Sequence, residues 1–438
     1  MMKRTIVVLL LVLACLNVNA QKKDNAQINL NGYGRGSVFG GGTDYDLASA
    51  FAEFSFQASL SKGNALFVSD IRFRTGMAFG EHELAFQIKE LYAGYKGEKL
   101  SVLLGNQIVN WGRSDGFNPT NNITPDDYFF LSSDPADQRL SNFMLTLNYY
   151  PVPGINLEVI GIPFYKMSDY RFDLFDMGDY VLFGKDVVPD RTLANGAVAV
   201  RVNFDFPAVG GSLSWFRGYD PYHGFNVTAI DWSSGQPLVH IASEAYRKTS
   251  LGADFALPLG RWIIRAEAAY NRTDNPDNKM FIPKPDLSYV AGVETHVAGC
   301  TLIGQYIGKY TLGFEPLVVP VPGNGTDPMA MVQYTNEMIG YENRLFNRKV
   351  FHQQEKANHA VSFTVTRNFA YDVIHAEFTA YYNITSNEWL LRPKVTWKVS
   401  DALSACIGGN YMKGDAQALF GYSAAVLNGA FLELKVSF

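Results

Sequence analysis

Apolar and polar side chains alternate along most of this chain with a period of two residues. The last residues show the pattern most clearly: Leu432, Leu434 and Val436 share one face of a strand, and Glu433 and Lys435 lie on the other. Such alternation is typical of a β-strand with an apolar environment on one side and a polar one on the other. A soluble β-sandwich can alternate in the same way. Repetition of the pattern up to a terminal aromatic residue favours a membrane-spanning β-barrel, with this segment as its closing strand.

The alternating segments predict an all-β protein of about 18 strands. An even count places both chain ends on the same side of an antiparallel barrel. Merging weak segments lowers the count to 16, and a possible hairpin over 225–243 raises it by two. The predicted strands span residues 27–38, 48–61, 65–77, 85–97, 99–111, 139–150, 154–163, 193–206, 211–219, 244–257, 261–273, 284–297, 300–312, 356–368, 371–384, 387–398, 402–413 and 424–438.

The connections between these segments alternate in length. Every second connection is short and contains Gly, Pro, Asn or Asp, as at Ala298-Gly299, because tight turns need the dihedral angles that these residues accept. Outer-membrane barrels place short turns on the periplasmic side and long loops outside. This alternation of short and long connections therefore predicts a transmembrane antiparallel β-barrel with short periplasmic turns and long extracellular loops. The four longest loops span 112–138, 164–192, 220–243 and 313–355.

Charged side chains on the polar strand faces are predicted to line the barrel interior. A Lys or Arg exposed to lipid at mid-depth costs about 2–4 kcal/mol, whereas a barrel of about 18 strands can enclose water. Because the signs are mixed, these residues either pair as ladders across neighbouring strands or, if several converge at one depth, form a charged constriction. The predicted pore-lining residues are Asp70, Arg72, Arg74, Arg201, Asp205, Asp254, Arg265, Glu267, Glu294, His375, Glu377, Arg392, Lys394 and Lys398.

Composition agrees with a membrane barrel and excludes two other classes of protein. The chain of 438 residues has 24 Tyr and 31 Phe, which suit the aromatic girdles at the two membrane interfaces. Beyond the N-terminus there is no run of about 18 apolar residues, which excludes helical membrane spans. The formal net charge of -5 excludes a strongly basic nucleic-acid-binding protein.

The first 20 residues have the features of a signal peptide. Lys3 and Arg4 precede an apolar stretch at 6–13 that is too short to span a bilayer, and Val18-Asn19-Ala20 forms a cleavage site of the small-residue type. A lipoprotein signal at Cys15 is the less favoured alternative. We expect export and cleavage, with residues 21–438 forming the barrel in the outer membrane of a Gram-negative cell.

Residues 90–128 contain the least generic stretch of the chain, most of it within 104–128. Trp111 ends a predicted strand, Gly112 and Gly116 permit a sharp bend, and Arg113 and Asp115 could pair within it. The loop is predicted either to fold into the barrel mouth and shape the pore, or to contact the solute as well. The candidate mouth-loop residues are Trp111, Arg113, Asp115, Asn118, Asp126, Asp127 and Tyr128.

A calcium site is a less favoured alternative for this loop. Its oxygen ligands would come from Asp115, Asn118, Asn121 and Asp126, since hard cations prefer oxygen. The spacing fits no EF-hand loop, however. We therefore expect neither a metal nor a cofactor.

The same stretch resembles an uncharacterised family of Gram-negative outer-membrane barrel proteins. Their shared pattern is Gly-x-Gln-x-x-x-Trp-Gly-Arg/Glu-x-Asp-Gly, followed by Asn-Pro and by Pro-x-Asp-Tyr. The Arg that usually precedes the Gln is Asn106 here. The resemblance implies a porin-like or transport barrel, with hydrophobic or aromatic molecules among the candidate solutes, and implies no catalysis. The matching residues are Gly105, Gln107, Trp111, Gly112, Arg113, Asp115, Gly116, Asn118, Pro119, Pro125, Asp127 and Tyr128.

Two further loops are rich in apolar residues. The loop at 164–192 is aromatic, and the loop at 313–355 is predicted to contain a helix near Pro328 to Phe346 with a Met-rich side. Each either covers the barrel mouth or binds an apolar ligand or partner.

The favoured function is a porin-like channel for passive or substrate-selective passage of small solutes. The alternative is a transporter or binder of hydrophobic or aromatic molecules. An enzyme is not expected, because no nucleophile motif is recognisable. The expected partners are outer-membrane lipid and the solute, with a homo-oligomer as a further possibility and no nucleic acid.

Overall fold

The structure, a computed structural model, describes residues 26–42, 46–323 and 327–438, in which 18 antiparallel strands form one closed sheet. The predicted signal peptide lies outside the described residues. The barrel strands are β1 Gln27–Gly40, β2 Leu47–Lys62, β3 Ala65–Ala78, β4 Glu81–Lys96, β5 Leu100–Gln107, β6 Asn142–Tyr149, β7 Ile155–Ile162, β9 Ala197–Phe206, β10 Val209–Tyr219, β13 Arg247–Leu259, β14 Trp262–Thr273, β15 Asp286–Val297, β16 Cys300–Thr311, β17 Ala357–Phe369, β18 Ile374–Asn383, β19 Glu388–Lys398, β20 Leu403–Lys413 and β21 Gly429–Ser437.

The last strand closes the barrel by pairing with the first. Strand β21 runs antiparallel to β1, with Leu434 opposite Gly36 and Ser437 opposite Tyr33. The prediction of 18 strands is confirmed, and the alternative count of 16 is wrong. We call the end of the barrel at which every connection is short the short-turn end. The opposite end, which carries the long loops, is the long-loop end.

Alternation along the strands separates an apolar outer face from a polar interior. In β21, the outward Leu432 and Leu434 are each 51% exposed, whereas Glu433 between them is 5% exposed. Arg72 and Arg74 in β3 are buried, and the intervening Phe73 is exposed. This arrangement is the one that a barrel in lipid requires, because acyl chains bathe the outer face.

Three short strands form a separate sheet at the long-loop end. Strands β11 Gly224–Asp231 and β12 Leu238–Glu244 make a hairpin, and β8 Val181–Phe183 pairs parallel with β12. The hairpin predicted as an alternative over 225–243 therefore exists, but it adds no strand to the barrel. The turn between the two segments predicts that they pair with each other. It does not predict which sheet the pair joins.

In the part of the chain that the structure describes, two α-helices lie in loops at the long-loop end. Helix α1, Pro328–Val350, confirms the predicted helix and extends it by about one turn. Helix α2, Leu419–Leu427, shows that the last strand does not begin at 424 as predicted. The run is apolar on nearly all sides, so its periodicity cannot distinguish a strand from a helix. Within the described ranges, neither helix has the length and apolar character that a bilayer crossing demands. Short 3₁₀ turns lie at Pro135–Gln138, Phe172–Leu174 and Leu193–Asn195.

Candidate functional site

The connection between β5 and β6, residues 108–141, folds into the barrel and is called the inward loop below. Its first part is fixed by Trp111, which is 1% exposed and packs with Ile123, Met144 and neighbouring apolar residues. The indole Nε1 of Trp111 donates a hydrogen bond of 2.7 Å to Glu158 on β7. A buried indole with its N–H satisfied holds a loop firmly against a wall.

The tip of the inward loop carries charges that pair with the barrel wall. Arg113 binds Asp205 through Nη2 at 2.6 Å and Asp254 through Nε at 2.9 Å. Asp115 binds Arg265 at 2.9 Å. The prediction that Arg113 and Asp115 pair with each other is wrong, because the wall on either side supplies a partner for each. The same cluster contains Arg201 near Asp254 and Glu294 bound to Arg265.

Glu267 on β14 holds the backbone of the tip. Its carboxylate accepts hydrogen bonds from the backbone N–H of Arg113 at 3.2 Å and of Thr120 at 2.8 Å, and from the Thr120 hydroxyl at 2.7 Å. Gly112, with φ of 99°, passes so close that a Cβ atom would lie 2.4 Å from a carboxylate oxygen of Glu267. Both the dihedral angle and the close approach favour glycine here.

The far side of the tip reaches another part of the wall. Phe117 stacks on Tyr381 of β18 with ring centroids 5.2 Å apart. The predicted mouth-loop residue Asn118 accepts a backbone hydrogen bond from the N–H of Asn121 at 3.0 Å, which closes a turn. Phe117 was not singled out from the sequence, although its position between Gly116 and Asn118 in the motif is a signal that could have identified it.

The second half of the inward loop binds the opposite wall. Asp137 accepts from Arg35 of β1 at 2.6 Å and from Arg72 of β3 at 2.8 Å. Burial alone raises the pKa of Asp137, but these two guanidinium groups hold it below its usual value. Lys89 of β4 donates to the carbonyl oxygens of Asp137 and Arg139, each at 2.6 Å. The loop is therefore attached to two walls and narrows the barrel between them.

The network around Asp137 contains three predicted pore-lining residues and two that the sequence reading missed. Asp70, Arg72 and Arg74 face the interior, with Asp70 bound to Arg72 at 3.0 Å. Arg35 and Glu53 were missed. They face each other in the register of β1 and β2 and join at 2.7 Å, so the alternation within those strands was the available signal.

The remaining predicted pore-lining residues lie on β18 and β19, away from the tip of the inward loop. Lys394 pairs with Glu377 at 3.3 Å, and His375 lies 3.9 Å from the same carboxylate. Arg392 donates to Asn410 at 3.0 Å. Lys398 is exposed at the end of β19. The Lys394–Glu377 and Arg392–Asn410 contacts join neighbouring strands as ladders, in contrast to the convergence around Arg113 and Glu267.

The last part of the mouth-loop motif joins a cluster of aromatic residues at the long-loop end. Tyr128 stacks on Tyr170 at 4.5 Å. Asp127 accepts from the backbone N–H groups of Phe129 and Phe130, and Asp126 bridges to Arg139 through the backbone. We define the aromatic lid as the buried rings Phe129, Phe172, Phe175, Phe225 and Phe346.

The aromatic lid packs internally. Phe172 lies 4.7 Å from Phe225 and 5.5 Å from Phe346, so the loop at 163–196, the hairpin and helix α1 share one apolar core. The loops predicted to cover the mouth pack against one another at the long-loop end. Since these rings bury one another, their aromatic content is explained without a ligand.

Among the described residues, two cavities of several hundred Å³ lie inside the barrel. The outer cavity, of about 460 Å³, lies between residues 116–128 of the inward loop and the wall formed by β13 to β18. The inner cavity, of about 860 Å³, lies toward the short-turn end between β1–β3, β19–β21 and loop residues near Asp137. No group of three or more His, Cys, Asp or Glu suited to a metal ion occurs in the parts of the chain that the structure describes.

The fold matches solved structures of outer-membrane proteins from Pseudomonas aeruginosa. The outer membrane protein OpdK superposes with a TM-score of 0.54 at 8% identity, over 94% of this chain and 98% of that one. OpdK with vanillate gives 0.53 at 9% identity, with the same coverage. OccK2 (OpdF) in complex with glucuronate gives 0.53 at 10% identity, over 94% and 97%.

No protein-family model and no curated protein matches the chain. At the identities of the structural matches, the likeness shows the fold. The resemblance of residues 105–128 to an uncharacterised barrel family stays a prediction. The chain thus has the fold of an 18-stranded outer-membrane barrel with an inward loop attached to two of its walls.

Proposed function

We propose that the protein is an outer-membrane channel for small solutes. The observation that carries the proposal is the interior, which is lined with charged side chains and narrowed by the inward loop without being filled. Eighteen strands enclose more space than side chains can occupy, and cavities of about 460 and 860 Å³ remain. The ion pairs at both ends of the loop supply the rigidity that a fixed constriction needs.

Three further points belong to the same proposal. The short-turn end faces the periplasm, as in barrels of this type, and residues 1–20 are removed on export. The barrel works as a monomer or a homo-oligomer. The structures of OpdK with vanillate and OccK2 (OpdF) with glucuronate support small organic solutes as the cargo class.

The alternative, a transporter for hydrophobic molecules, receives less support. It is suggested by the family resemblance and by the aromatic loops. In the loop at 164–192, however, Phe172 and Phe175 are 4% and 6% exposed within the aromatic lid. We also infer that the protein is not an enzyme. Its fold neighbours are outer-membrane proteins, and its charged clusters attach the inward loop.

Single-channel recording in planar lipid bilayers tests the proposal. We expect discrete conductance steps from the purified, folded barrel, and none from detergent alone. Replacing residues 113–121 by two glycines should raise the conductance, because the tip is removed. The flanking chain can close this gap, since Arg113 and Thr120 bind the same Glu267 carboxylate. Folded protein that never conducts would refute the proposal.

A further inference from the structure

The outer cavity has the chemistry of a site for a neutral, polyhydroxylated solute. We propose that the channel takes solutes of this class, such as monosaccharides, and disfavours organic anions. This inference rests on the proposed channel function and names its substrate class. Three features of the described residues carry it: paired charges in the cavity, amide and aromatic groups in its wall, and exposed carboxylates at the constriction.

The lysines that line the outer cavity are already paired. Lys248 Nζ lies 2.6 Å from an oxygen of Asp220. Lys309 Nζ lies 3.9 Å from Asp286 and donates to the carbonyl oxygen of Phe351 at 2.8 Å. Asp126 also lines the cavity, so two lysines face three aspartates. A carboxylate ligand would have to compete with these carboxylates for each ammonium group, which is unfavourable.

One of the two histidines of the cavity adds no positive charge. Burial lowers the pKa of His352 to about 4, so its imidazole is neutral near pH 7. His359 shares a hydrogen bond between its Nδ1 and the hydroxyl of Tyr306. Both lysines that line the cavity already have carboxylate partners, so neither is free to bind an anion.

The same wall carries amide oxygens that lack partners. Among the residues lining the cavity, the Oδ1 atoms of Asn121, Asn271 and Asn358 have no hydrogen-bond partner in the protein. Asn271 and Asn358 are 9% and 5% exposed. A buried acceptor without a donor is unfavourable. These oxygens are shielded from the cavity, so a solute hydroxyl would donate to one of them after that amide side chain turns toward the solute.

Aromatic rings lie beside these amides. Phe117 and Tyr381 stack on each other at one side of the cavity, and Tyr289, Tyr222 and Phe351 contribute to its lining. Rings bury the C–H faces of a ligand while neighbouring polar groups fix its orientation. A volume of about 460 Å³ falls in the range of small-molecule pockets. This combination suits a ring-shaped polyol better than a purely apolar molecule.

The constriction next to this cavity presents negative charge to the solvent. The side chains of Asp205 and Asp115 are 59% and 49% exposed, whereas those of their partners Arg113 and Arg265 are 23% and 21% exposed. Buried Asp254, with a 1% exposed side chain, takes up part of the Arg113 charge. The accessible charge is therefore anionic, and it raises the barrier for anions.

Uptake of glucose and glucuronate by proteoliposomes tests the inference, because the two solutes differ by one carboxylate. We expect labelled glucose to enter at least about five times faster than labelled glucuronate, with protein-free liposomes as the baseline. The Asp115→Asn, Asp205→Asn double variant should lower this ratio by admitting glucuronate. Asp277→Asn, which makes the same charge change in an exposed loop, should leave the ratio unchanged.

A second pair of variants tests the amide groups. Asn358→Leu and Asn271→Leu, made separately, should each slow glucose uptake at low glucose concentration more than at high concentration, as expected for loss of a binding contact. Heat-modifiable gel migration verifies that each variant is folded. Glucuronate uptake as fast as that of glucose, in a protein that conducts ions, would overturn the inference and leave the channel function standing. Folded protein that neither conducts nor admits either solute would overturn both.

Discussion

Glu267 illustrates how a single side chain sets the position of the inward loop. It is 2% exposed, and the donors that it satisfies come from Arg113, Ser114 and Thr120 of the loop. We expect Glu267→Ala to leave these donors unpaired and to lower the free energy of unfolding by about 1–3 kcal/mol. The released tip should also increase the noise of the open-channel current in bilayer recordings.

Glu267→Gln is the matched variant for this test. Glutamine keeps one acceptor oxygen and replaces the other with an NH₂ group, which would face N–H donors. The free energy of unfolding and the current noise of Glu267→Gln should therefore lie between those of the wild type and of Glu267→Ala. Equal current noise in all three proteins would show that the carboxylate does not control the tip.

Asp127 makes stability depend on pH. Burial, together with the nearby carboxylate of Asp169, raises its pKa from 3.8 to about 6, despite hydrogen bonds from the N–H groups of Phe129 and Phe130. The folded protein therefore binds this proton more tightly than the unfolded chain does. Below about pH 4, this tighter proton binding contributes its full stabilisation of the folded state, about 3 kcal/mol. The stabilisation is lost as the pH rises through about 6.

Asp127→Asn should remove this dependence, because an amide keeps the acceptor oxygen and has no proton to lose. We expect the variant to be more stable than the wild type at pH 7 and about equal to it near pH 4, measured by denaturant unfolding in detergent. Asp277→Asn serves as the exposed control. A stability difference for Asp127→Asn that is the same at both pH values would contradict the assignment.

At the scale of elements, Asn347 connects helix α1 to the external hairpin. Phe225 of β11 donates its N–H to Asn347 Oδ1 at 2.8 Å, and Asn347 Nδ2 donates to the Phe225 carbonyl at 2.7 Å. The side chain thus pairs with a strand edge as a neighbouring strand would. Asn347→Leu should release the helix. Protease cleavage within 312–356 should become about thirtyfold faster, since two bonds worth about 1 kcal/mol each are lost.

Asn336→Leu is the control on the same helix. Asn336 is exposed and accepts one hydrogen bond, from Trp232 at 3.1 Å, so its loss should change the cleavage rate little. Faster cleavage in Asn336→Leu than in Asn347→Leu would mean that the lid is held by other contacts.

The strands of the barrel could be predicted from the sequence because the side chains on the two faces of each strand match the lipid and the polar interior that they contact. Phe73 between Arg72 and Arg74 reports lipid on one side and a polar interior on the other. Helix α2 was missed because a uniformly apolar run such as Leu419–Leu427 carries no period. The Glu267 contacts were beyond prediction, since the carboxylate and its donors are separated by about 150 residues.

At the scale of the whole molecule, the pairing of charges depends on barrel closure. The sequence predicts polar surroundings for both Arg113 and Asp254. Only the folded barrel brings the Nε atom of Arg113 within 2.9 Å of the Asp254 carboxylate. Closure likewise brings Glu433 of the last strand within 3.4 Å of Arg35 in the first. The interior as a binding space is therefore a property of the assembled barrel, whereas the two-faced strands are a property of the sequence.

The separation of the two faces can be tested with neighbouring residues of one strand. Phe363 in the middle of β17 is 46% exposed on the outer face, and Thr364 contacts Thr379 at 3.1 Å on the inner face. Phe363→Arg places a charge in lipid and should destabilise the barrel in lipid vesicles, lowering its free energy of unfolding by about 2–4 kcal/mol. Thr364→Arg places the same charge in the polar interior and should cost less than about 1 kcal/mol.

Phe363→Ala corrects for the lost ring, and heat-modifiable gel migration reports the folded fraction. If Thr364→Arg proved the more harmful substitution, the inner and outer faces would have been assigned the wrong way round, and every residue placed in the interior here would instead face the lipid.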